Sequence, residues 1–186
     1  LISDPTEPLA SARPFSLTGS SSRYGSVFDN GAQIDATQWI QDGRLNRMIA
    51  SSSDATRYGL QRSAFADTLR LDVAHASADR LDDLVAGVDD GLLLTCLWYI
   101  RTVDPNTMLL TGLTRDGVYA IRRGEIVGAV GNFRFNDSPL AMLDRITEAT
   151  TATRTLSREM ADYANRTVMP ALVIDGFNLT STSDAR

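Results

Sequence analysis

The amino-acid sequence predicts an α+β fold, mostly antiparallel β-sheet in a sandwich or barrel-like arrangement, with two short helices packed on it. The first observation is that residues 91–136 contain three strand-like stretches and a hairpin. The second is a series of Gly-containing turns between short apolar runs, and the third is a pair of short amphipathic stretches. Because 186 residues with 43% apolar content can bury one substantial core, we predict a single domain over residues 1–186.

The first sixty residues are predicted to form an edge strand, loops and one hairpin. Residues 1–26 are rich in Pro, Ser and Gly, which indicates extended backbone interrupted by turns. The pair Asp42-Gly43 separates two apolar runs and is typical of a two-residue hairpin turn. Residues 51–62 are polar and fit either a short helix that ends at Gly59 or a surface loop.

The middle of the chain predicts a strand, a helix and a buried strand. Residues 69–73 alternate apolar and polar side chains, as a strand with one solvated face does. Ser77 can cap a helix whose apolar stripe is Leu81, Leu84, Val85 and Val88. Residues 92–100 are apolar almost throughout, which favours one strand buried on both faces.

The next part of the chain predicts two further strands and a hairpin. Residues 104–106 supply a turn that leads into a strand over residues 107–113. Residues 122–125 are expected to join a hairpin, because apolar runs at residues 118–121 and 126–127 flank them.

The second predicted helix begins near Ser138. Ser138 is a suitable N-cap and Pro139 suits the first helical position. The side chains expected to face inward are Leu140, Leu143 and Ile146. A final strand over residues 171–174 is predicted after Pro170.

Charge and composition exclude several classes of partner. The formal net charge is −5 and the isoelectric point is about 4.8, whereas nucleic-acid-binding domains usually carry a clustered basic face. The longest apolar stretch is far shorter than the ~20 residues that a membrane-spanning helix needs. We therefore expect neither a nucleic-acid nor a membrane partner. The single cysteine, Cys96, suits a reducing cytoplasm, and the chain begins without Met or a signal peptide, as a fragment of a longer chain would.

No catalytic, cofactor-binding or metal-binding residue is predicted from the sequence. His75 is the only histidine and lies between two alanines, which favours a surface histidine over a general base. Cys96 lies in an apolar run and is expected to be a small buried hydrophobe in the middle of a strand. The pairs Asp82-Asp83 and Asp89-Asp90 look like a solvated face. Residues 112–117 look like a turn, because the Lys-Ser/Thr ending of a phosphate loop is missing.

Six short segments occur in an order that is hard to reach by chance. They are Ser3-Asp4-Pro5, residues 39–45, a helix ending at Gly87, residues 91–95, Asp116-Gly117 and Asn132-Phe133-Arg134. Together they resemble the carboxy-terminal domain of the TldD/PmbA family, over nearly the whole chain. The resemblance implies a bacterial, cytoplasmic peptidase system whose full chain has an additional amino-terminal α/β domain before a largely antiparallel β domain.

The resemblance also bears on zinc. The TldD-type subunit of the family holds zinc through two histidines of an H-E-x-x-x-H helix and a late cysteine, whereas the PmbA (TldE) type lacks them and pairs with it. The cysteine would fall in residues 162–168, where this sequence has none. The resemblance therefore implies the metal-free type, with no cofactor in this fragment, although a third ligand from another residue stays open. Zinc remains compatible with the full complex, and the implied partners are a TldD-type sister subunit or a second copy, and unfolded peptide.

Three functional hypotheses stay open from the sequence. In the first, an unfolded peptide adds as a strand to an edge near a core sheet built from residues 92–100 and 107–113. In the second, the domain is a non-enzymatic module that pairs with a metal-bearing subunit; an upstream H-E-x-x-x-H helix would instead restore a zinc-bearing enzyme. The third is a carbohydrate-binding or cell-surface β domain, which ordinary aromatic content disfavours. It would use Trp39, Trp98, Tyr24 and Tyr119.

Overall fold

The computed structural model describes residues 1–22, 25–64, 66–159 and 164–184. The strands are β1 Ile2–Ser3, β2 Thr37–Gln38, β3 Ile40–Gln41, β4 Arg44–Leu45, β5 Leu69–Arg70, β6 Asp90–Leu94, β7 Leu97–Asp104, β8 Leu109–Thr114, β9 Val118–Arg122, β10 Glu125–Val130, β11 Asn132–Asp137, β12 Ile146–Ala149, β13 Thr153–Thr155, β14 Thr167–Met169, β15 Leu172–Ile174 and β16 Leu179–Ser183. The helices are α1 Ser52–Tyr58, α2 Leu81–Ala86 and α3 Pro139–Asp144, and Val27–Asp29 forms a 3-10 turn.

These elements confirm a mostly antiparallel α+β fold. Within the described residues one strand pair, β14 with β5, is parallel, and the other pairs of strands are antiparallel. All five sheets in this part of the chain have open edges, so the fold is not a closed barrel. Three short α-helices occur there, one more than the two that were predicted.

The chain divides into two compact units. The first is Leu1–Asp72 with Ala152–Met169, and the second is Val73–Thr151 with Pro170–Arg186. The first unit holds a five-stranded sheet in the order β13-β14-β5-β1-β2 and the small β3-β4 hairpin. The second unit holds a three-stranded sheet, β10-β9-β6, a four-stranded sheet, β16-β11-β8-β7, and the pair β12-β15. The single domain over residues 1–186 stays a prediction.

The N-terminal strand lies inside its sheet, so the prediction of an edge strand in residues 1–26 is wrong. Ile2 pairs with Gln38 on one side and with Arg70 on the other. The neighbouring Ser3 is buried, accepts a hydrogen bond from Trp39 Nε1 at 2.8 Å and donates one to the Thr68 carbonyl at 2.6 Å. Residues 34 or more positions away in the sequence therefore enclose β1, although residues 1–26 are rich in Pro, Ser and Gly.

The β3-β4 hairpin and α1 confirm local signals in the sequence. Asp42 and Gly43 have φ values of 50° and 74°, the left-handed pair that a two-residue turn of this kind requires. The segment left open between helix and loop is a helix. Ser51 and Asp54 form a capping box at its start, and Gly59 ends it in a left-handed conformation with φ 67°.

Residues 92–100 do not form one strand, and this prediction is wrong. The chain leaves β6, in the three-stranded sheet, after Leu94 and enters β7, in the four-stranded sheet, at Leu97. The Thr95 amide donates to the Gly117 carbonyl at 3.2 Å, and the Arg115 amide donates to the Cys96 carbonyl at 3.0 Å. The chain also changes sheets between β8 and β9, so these hydrogen bonds join the two crossing segments. The stretch is also not buried on both faces, since Tyr99 is 57% exposed.

Both predicted helices exist, but their details differ from the predictions. Arg80 rather than Ser77 occupies the N-cap position of helix α2, and its side chain makes no capping hydrogen bond. The Ser77 hydroxyl instead accepts a hydrogen bond from the Ala149 amide at 3.3 Å. Of the α2 residues, Leu84 and Val85 are buried, whereas Leu81 is exposed.

Helix α3 confirms Ser138 as N-cap and Pro139 at the first position. The inward orientation predicted for Leu140 and Leu143 is wrong, because both are exposed, and Ile146 belongs to β12.

Two predicted strands have different limits. The alternating stretch over residues 69–73 contributes only the two residues of β5, which pair with β14 and β1. The strand predicted over residues 171–174 is present as β15, but it is not the last one, because β16 follows it and pairs with β11.

The β9-β10 hairpin confirms the predicted turn and allows a test of its packing. Arg123 and Gly124 have φ values of 50° and 78°.

A Cβ atom on Gly124 would lie 2.6 Å from the Ala86 carbonyl oxygen, whereas one on Gly43 would meet no atom within 4 Å. We therefore expect Gly124→Ala to lower the free energy of unfolding by about 2–3 kcal/mol, and Gly43→Ala by about 1 kcal/mol, in urea denaturation. Equal losses would mean that backbone strain alone constrains Gly124.

Candidate functional site

Strand β10 forms one edge of the three-stranded sheet and exposes apolar side chains. It pairs with β9 on one side, and within the described residues no strand pairs with its other side. Ile126 is 50% exposed and Val127 is 60% exposed, and Val130 is also exposed. An exposed apolar edge strand is a template for pairing with another extended chain.

The sequence of β10 lacks most of the features that protect sheet edges. Residues 126–131 contain no charged side chain and no proline, and Glu125 at the start of the strand is the nearest charge within it. A bulge between Ile126 and Gly128 interrupts the pairing with β9, after which Gly128, Ala129 and Val130 continue in register. The edge therefore offers a short regular segment beyond the bulge. The sequence analysis recognised this hairpin but missed its free edge, although the uncharged run was a visible signal.

The first unit contains a groove of about 720 Å³, within the size range of small-ligand sites. Backbone hydrogen bonds between residues 14–16 and 31–34 close the loop that forms one wall. The described lining residues include Arg13, Phe15, Leu17, Asp29 and Ile49, and many of the others are serines.

Asp29 is the buried acidic residue of this groove. It is 8% exposed, and its Oδ2 atom accepts a hydrogen bond from the Ser52 amide at 3.1 Å. Hydrogen bonds from Ser52 lower the pKa of Asp29 below its usual value, and the charge of Arg62 adds to them, against the raising effect of burial. The groove therefore contains a carboxylate that is ionised at neutral pH. The sequence analysis missed Asp29, and no motif in the sequence pointed to it.

The groove also receives part of the stretch in which the resemblance places the zinc-binding cysteine of TldD-type subunits. Of residues 162–168, the first two lie outside the described residues. Asn165 and Arg166 line the groove, and Arg166 Nη1 makes an ion pair with Asp67 Oδ2. Amide and guanidinium groups are not zinc ligands, so the described part of this stretch does not fit the metal.

The two residues weighed as reactive groups belong neither to β10 nor to the described lining of the groove. His75 is exposed in the segment between β5 and α2, as predicted. Cys96 is half-buried between β6 and β7, so its predicted position in the middle of a buried strand is wrong. In the described part of the chain no group of three or more His, Cys, Asp or Glu side chains could hold a metal ion. We derive no zinc-dependent step from this domain.

The acidic pairs and the glycine-rich segment have structural explanations. Asp82, Asp83, Asp89 and Asp90 are exposed, as expected of a solvated face, and Asp90 pairs with Arg122 at 2.5 Å. Residues 112–117 are only partly the predicted turn, because the first three belong to β8 and the turn follows at Asp116-Gly117.

None of the described aromatic residues of the carbohydrate hypothesis is fully exposed. Trp39 is buried, and its indole Nε1 donates to Ser3. Trp98 and Tyr119 are half-buried, and Arg115 lies over the Trp98 ring at 5.2 Å. Tyr24 lies outside the described residues. Among the helices of the described chain, none is long and apolar enough to cross a membrane.

Three solved structures share this fold at low sequence identity. TldE from Thermococcus kodakarensis superposes with a TM-score of 0.69 and 17% identity, over 97% of this chain and 39% of that one. A proposed modulator of DNA gyrase from Bacteroides thetaiotaomicron gives 0.64 and 17%, over 94% of this chain and 38% of that one. A second proposed gyrase modulator, from Thermotoga maritima, gives 0.62 and 14%, over 90% and 35%. The chain thus spans less than two fifths of these proteins.

Family membership rests on a sequence comparison that covers almost the whole chain. No curated protein sequence matches the chain. The family model described as the PmbA/TldA metallopeptidase C-terminal domain matches residues 1–181. This match confirms the resemblance inferred from the six ordered segments, and the fold shared with TldE agrees with it. The chain therefore belongs to the PmbA/TldA metallopeptidase C-terminal domain family.

Proposed function

We propose that this chain is the carboxy-terminal domain of a TldD/PmbA-type peptidase subunit that takes part in the hydrolysis of unstructured peptides. Family membership supports the assignment to a peptidase system. The proposed subtype is the TldE-like subunit without its own zinc, and the likeness to TldE together with the missing late cysteine supports it. The proposed setting is the bacterial cytoplasm, and the proposed partner is a TldD-type sister subunit that supplies the metal.

The proposed contribution of this domain is to hold peptide, and the exposed β10 edge is the observation that carries it. An extended peptide can add to this edge through main-chain hydrogen bonds, which depend little on the peptide's sequence. Ile126 and Val127 would cover apolar side chains of the peptide beside the bulge. The domain would thus present unfolded chain to reactive groups on another polypeptide. A folded substrate could not pair in this way, because its backbone groups are already bonded.

The subtype is tested by measuring zinc content and peptidase activity of the full-length protein, alone and copurified with a TldD-type partner. We expect the lone protein to contain little zinc and to cleave no peptide, and the copurified complex to contain zinc and to cleave unstructured peptides. Stoichiometric zinc in the lone protein would overturn the metal-free assignment. Cleavage of folded and unfolded substrates at equal rates by the complex would contradict the proposed substrate class.

The β10 edge is tested in the same complex by charge insertion. Ile126→Lys and Val130→Lys each place a lysine on the edge, and lysines on edge strands oppose pairing with another chain. We expect both changes to abolish the slowing of amide exchange that an unstructured peptide causes in residues 125–130. The matched control is Met108→Lys, an exposed apolar residue in the turn between β7 and β8, which should leave this protection unchanged. Equal protection in all variants would exclude β10 as the peptide edge.

A second candidate function uses the same edge for assembly. The exposed apolar side chains of β10 could instead cover a strand of the sister subunit. In that case Val130→Lys would dissociate the copurified complex, which size-exclusion chromatography detects. Under the peptide-binding proposal the complex stays intact and only peptide protection is lost.

A further inference from the structure

The groove in the first unit has a second feature besides its size, namely a wall of solvent-exposed apolar side chains. Phe15 is 42% exposed, Leu17 is 55% exposed and Ile49 is 49% exposed, and all three line the groove. Apolar side chains that converge on a concave site are typical of ligand pockets. A ligand with apolar groups would remove these surfaces from water, which favours binding.

The charged lining residues indicate which charge a ligand of this groove would carry. Arg166 and Asp67 neutralise each other in an ion pair, and Asp54 is engaged with Ser51 in the capping box of α1. A hydrogen bond leaves the Asp54 carboxylate charged, so the described lining residues carry three carboxylates, Asp29, Asp54 and Asp67, against two guanidiniums, Arg13 and Arg166. Asp29 is 8% exposed, whereas Arg13 and Asp54 are exposed. Because water screens exposed charges most, the Asp29 carboxylate is the least screened of these charges, and Arg62, outside the lining, opposes it only in part.

We propose that this groove binds a peptide segment that carries a cationic group on an apolar stem, with the cation opposite Asp29 and neighbouring apolar side chains against Phe15, Leu17 and Ile49. The cation is an ammonium or a guanidinium, either of which donates hydrogen bonds to a carboxylate. A lysine or arginine side chain and the amino terminus of a peptide both supply this chemistry. Arg13, at the exposed part of the lining, is placed to bind a carbonyl or carboxylate of the same peptide. This site lies in the first unit, whereas β10 lies in the second, and it requires no peptidase activity.

The test measures binding of short labelled peptides to the full-length protein by fluorescence anisotropy. One peptide is acetylated and amidated, with a central lysine between two leucines. In the second peptide glutamate replaces the lysine, and in the third leucine replaces it while the amino terminus is free. We expect the lysine peptide, the free-amine peptide or both to bind, and the glutamate peptide to bind far more weakly. Comparing the lysine peptide with the free-amine peptide distinguishes binding of a side-chain cation from binding of a terminal amine.

Variants of the protein assign the binding to the groove. Asp29→Asn is expected to weaken binding of the cationic peptides by about tenfold or more, since a charged hydrogen bond is lost. The matched control, Asp35→Asn, removes an exposed carboxylate outside the groove lining and should leave the affinity unchanged. Leu17→Ser changes only an exposed wall residue and should also weaken binding, which keeps the test decisive if Asp29→Asn lowers stability. Circular dichroism checks the fold of each variant.

The outcomes separate this proposal from the proposed function. Equal binding of the lysine and glutamate peptides, no binding by any peptide, or equal affinities of Asp29→Asn and Asp35→Asn would overturn it. Val130→Lys on the β10 edge should not change binding in the groove. Loss of binding in this variant, with Asp29→Asn unaffected, would assign the peptides to the sheet edge instead.

Discussion

Replacing Phe135 by alanine is expected to lower the free energy of unfolding by about 3–5 kcal/mol. Phe135 is 2% exposed, and its ring lies 5.5 Å from the Phe177 ring, centroid to centroid. Its ring also lies over Gly112, its partner across the β8-β11 pair, where an added Cβ would approach to 2.6 Å. Alanine would leave a cavity over Gly112 and beside Phe177, and the backbone hydrogen bonds of the β8-β11 pair oppose its closure. Urea denaturation followed by tryptophan fluorescence measures the loss.

Phe28→Ala is the matched control for this prediction. Phe28 is 93% exposed at the 3-10 turn, so the same chemical change should cost less than about 0.5 kcal/mol. A similar loss in both variants would mean that the burial of Phe135 does not decide its effect. A small loss in Phe135→Ala alone would mean that the β8-β11 pair relaxes into the cavity.

Arg145→Met is expected to lower the free energy of unfolding by about 3 kcal/mol, because it leaves Asp137 buried without its counter-charge. Arg145 Nη2 donates to both Asp137 carboxylate oxygens at 2.7 Å, and Asp137 is 6% exposed. The same guanidinium donates to the Asp175 carbonyl at 2.8 Å and to the Gly176 carbonyl at 2.5 Å. The ion pair thus joins the end of α3 to β11, and the two carbonyl hydrogen bonds join it to the segment before β16. Methionine keeps the length of the stem but has no donor.

The control is Arg80→Met, which breaks a pair with Asp82 whose side chains are 76% and 83% exposed. A surface pair of this kind contributes about 0–1 kcal/mol. Equal destabilisation by the two changes would contradict a special role for the pair of Arg145 and Asp137.

The same pair predicts a pH dependence. Burial raises the pKa of Asp137, but hydrogen bonds from Arg145 and from the Asn178 and Ser138 amides outweigh burial, so the pKa lies below the usual carboxyl value. A carboxyl group with a lowered folded-state pKa stabilises the protein above the unfolded pKa of about 3.9, and this contribution is lost as pH falls through the folded value. Arg145→Met removes the hydrogen bonds and the charge that lower the pKa of Asp137 most, so less of this contribution to stability remains. The difference in stability between the two proteins should therefore shrink as the pH falls below about 4, and a difference that stays constant there would contradict this account.

Turn chemistry was predictable because it is local. Asp42-Gly43 and Arg123-Gly124 adopt left-handed backbone conformations that few residue types tolerate, so the residues themselves mark the turns. The capping box at Ser51 is local for the same reason, since its partner is three residues away. Even so, the sequence left that helix open, because a polar stretch without an apolar stripe also fits a loop.

The split of residues 92–100 could not be predicted from the run itself. An apolar run of this length fits one buried strand as well as two strands in different sheets. The choice depends on hydrogen bonds to Gly117 and Arg115, which are about twenty residues further along the chain. The cap predicted at Ser77 failed for a similar reason, because Ala149, 72 positions away, bonds its hydroxyl instead.

The amino-acid sequence by itself determined the family, the mostly antiparallel fold and the two-residue turns, because each depends on residue order or on backbone preferences within a few positions. Tertiary structure alone decided which strands are edges and where the apolar run changes sheets. It also decided that Asp29 lines the same groove as Phe15, Leu17 and Ile49. These features arise from contacts between residues far apart in the chain. Their energies depend on burial and on hydrogen-bond partners, which local sequence does not specify.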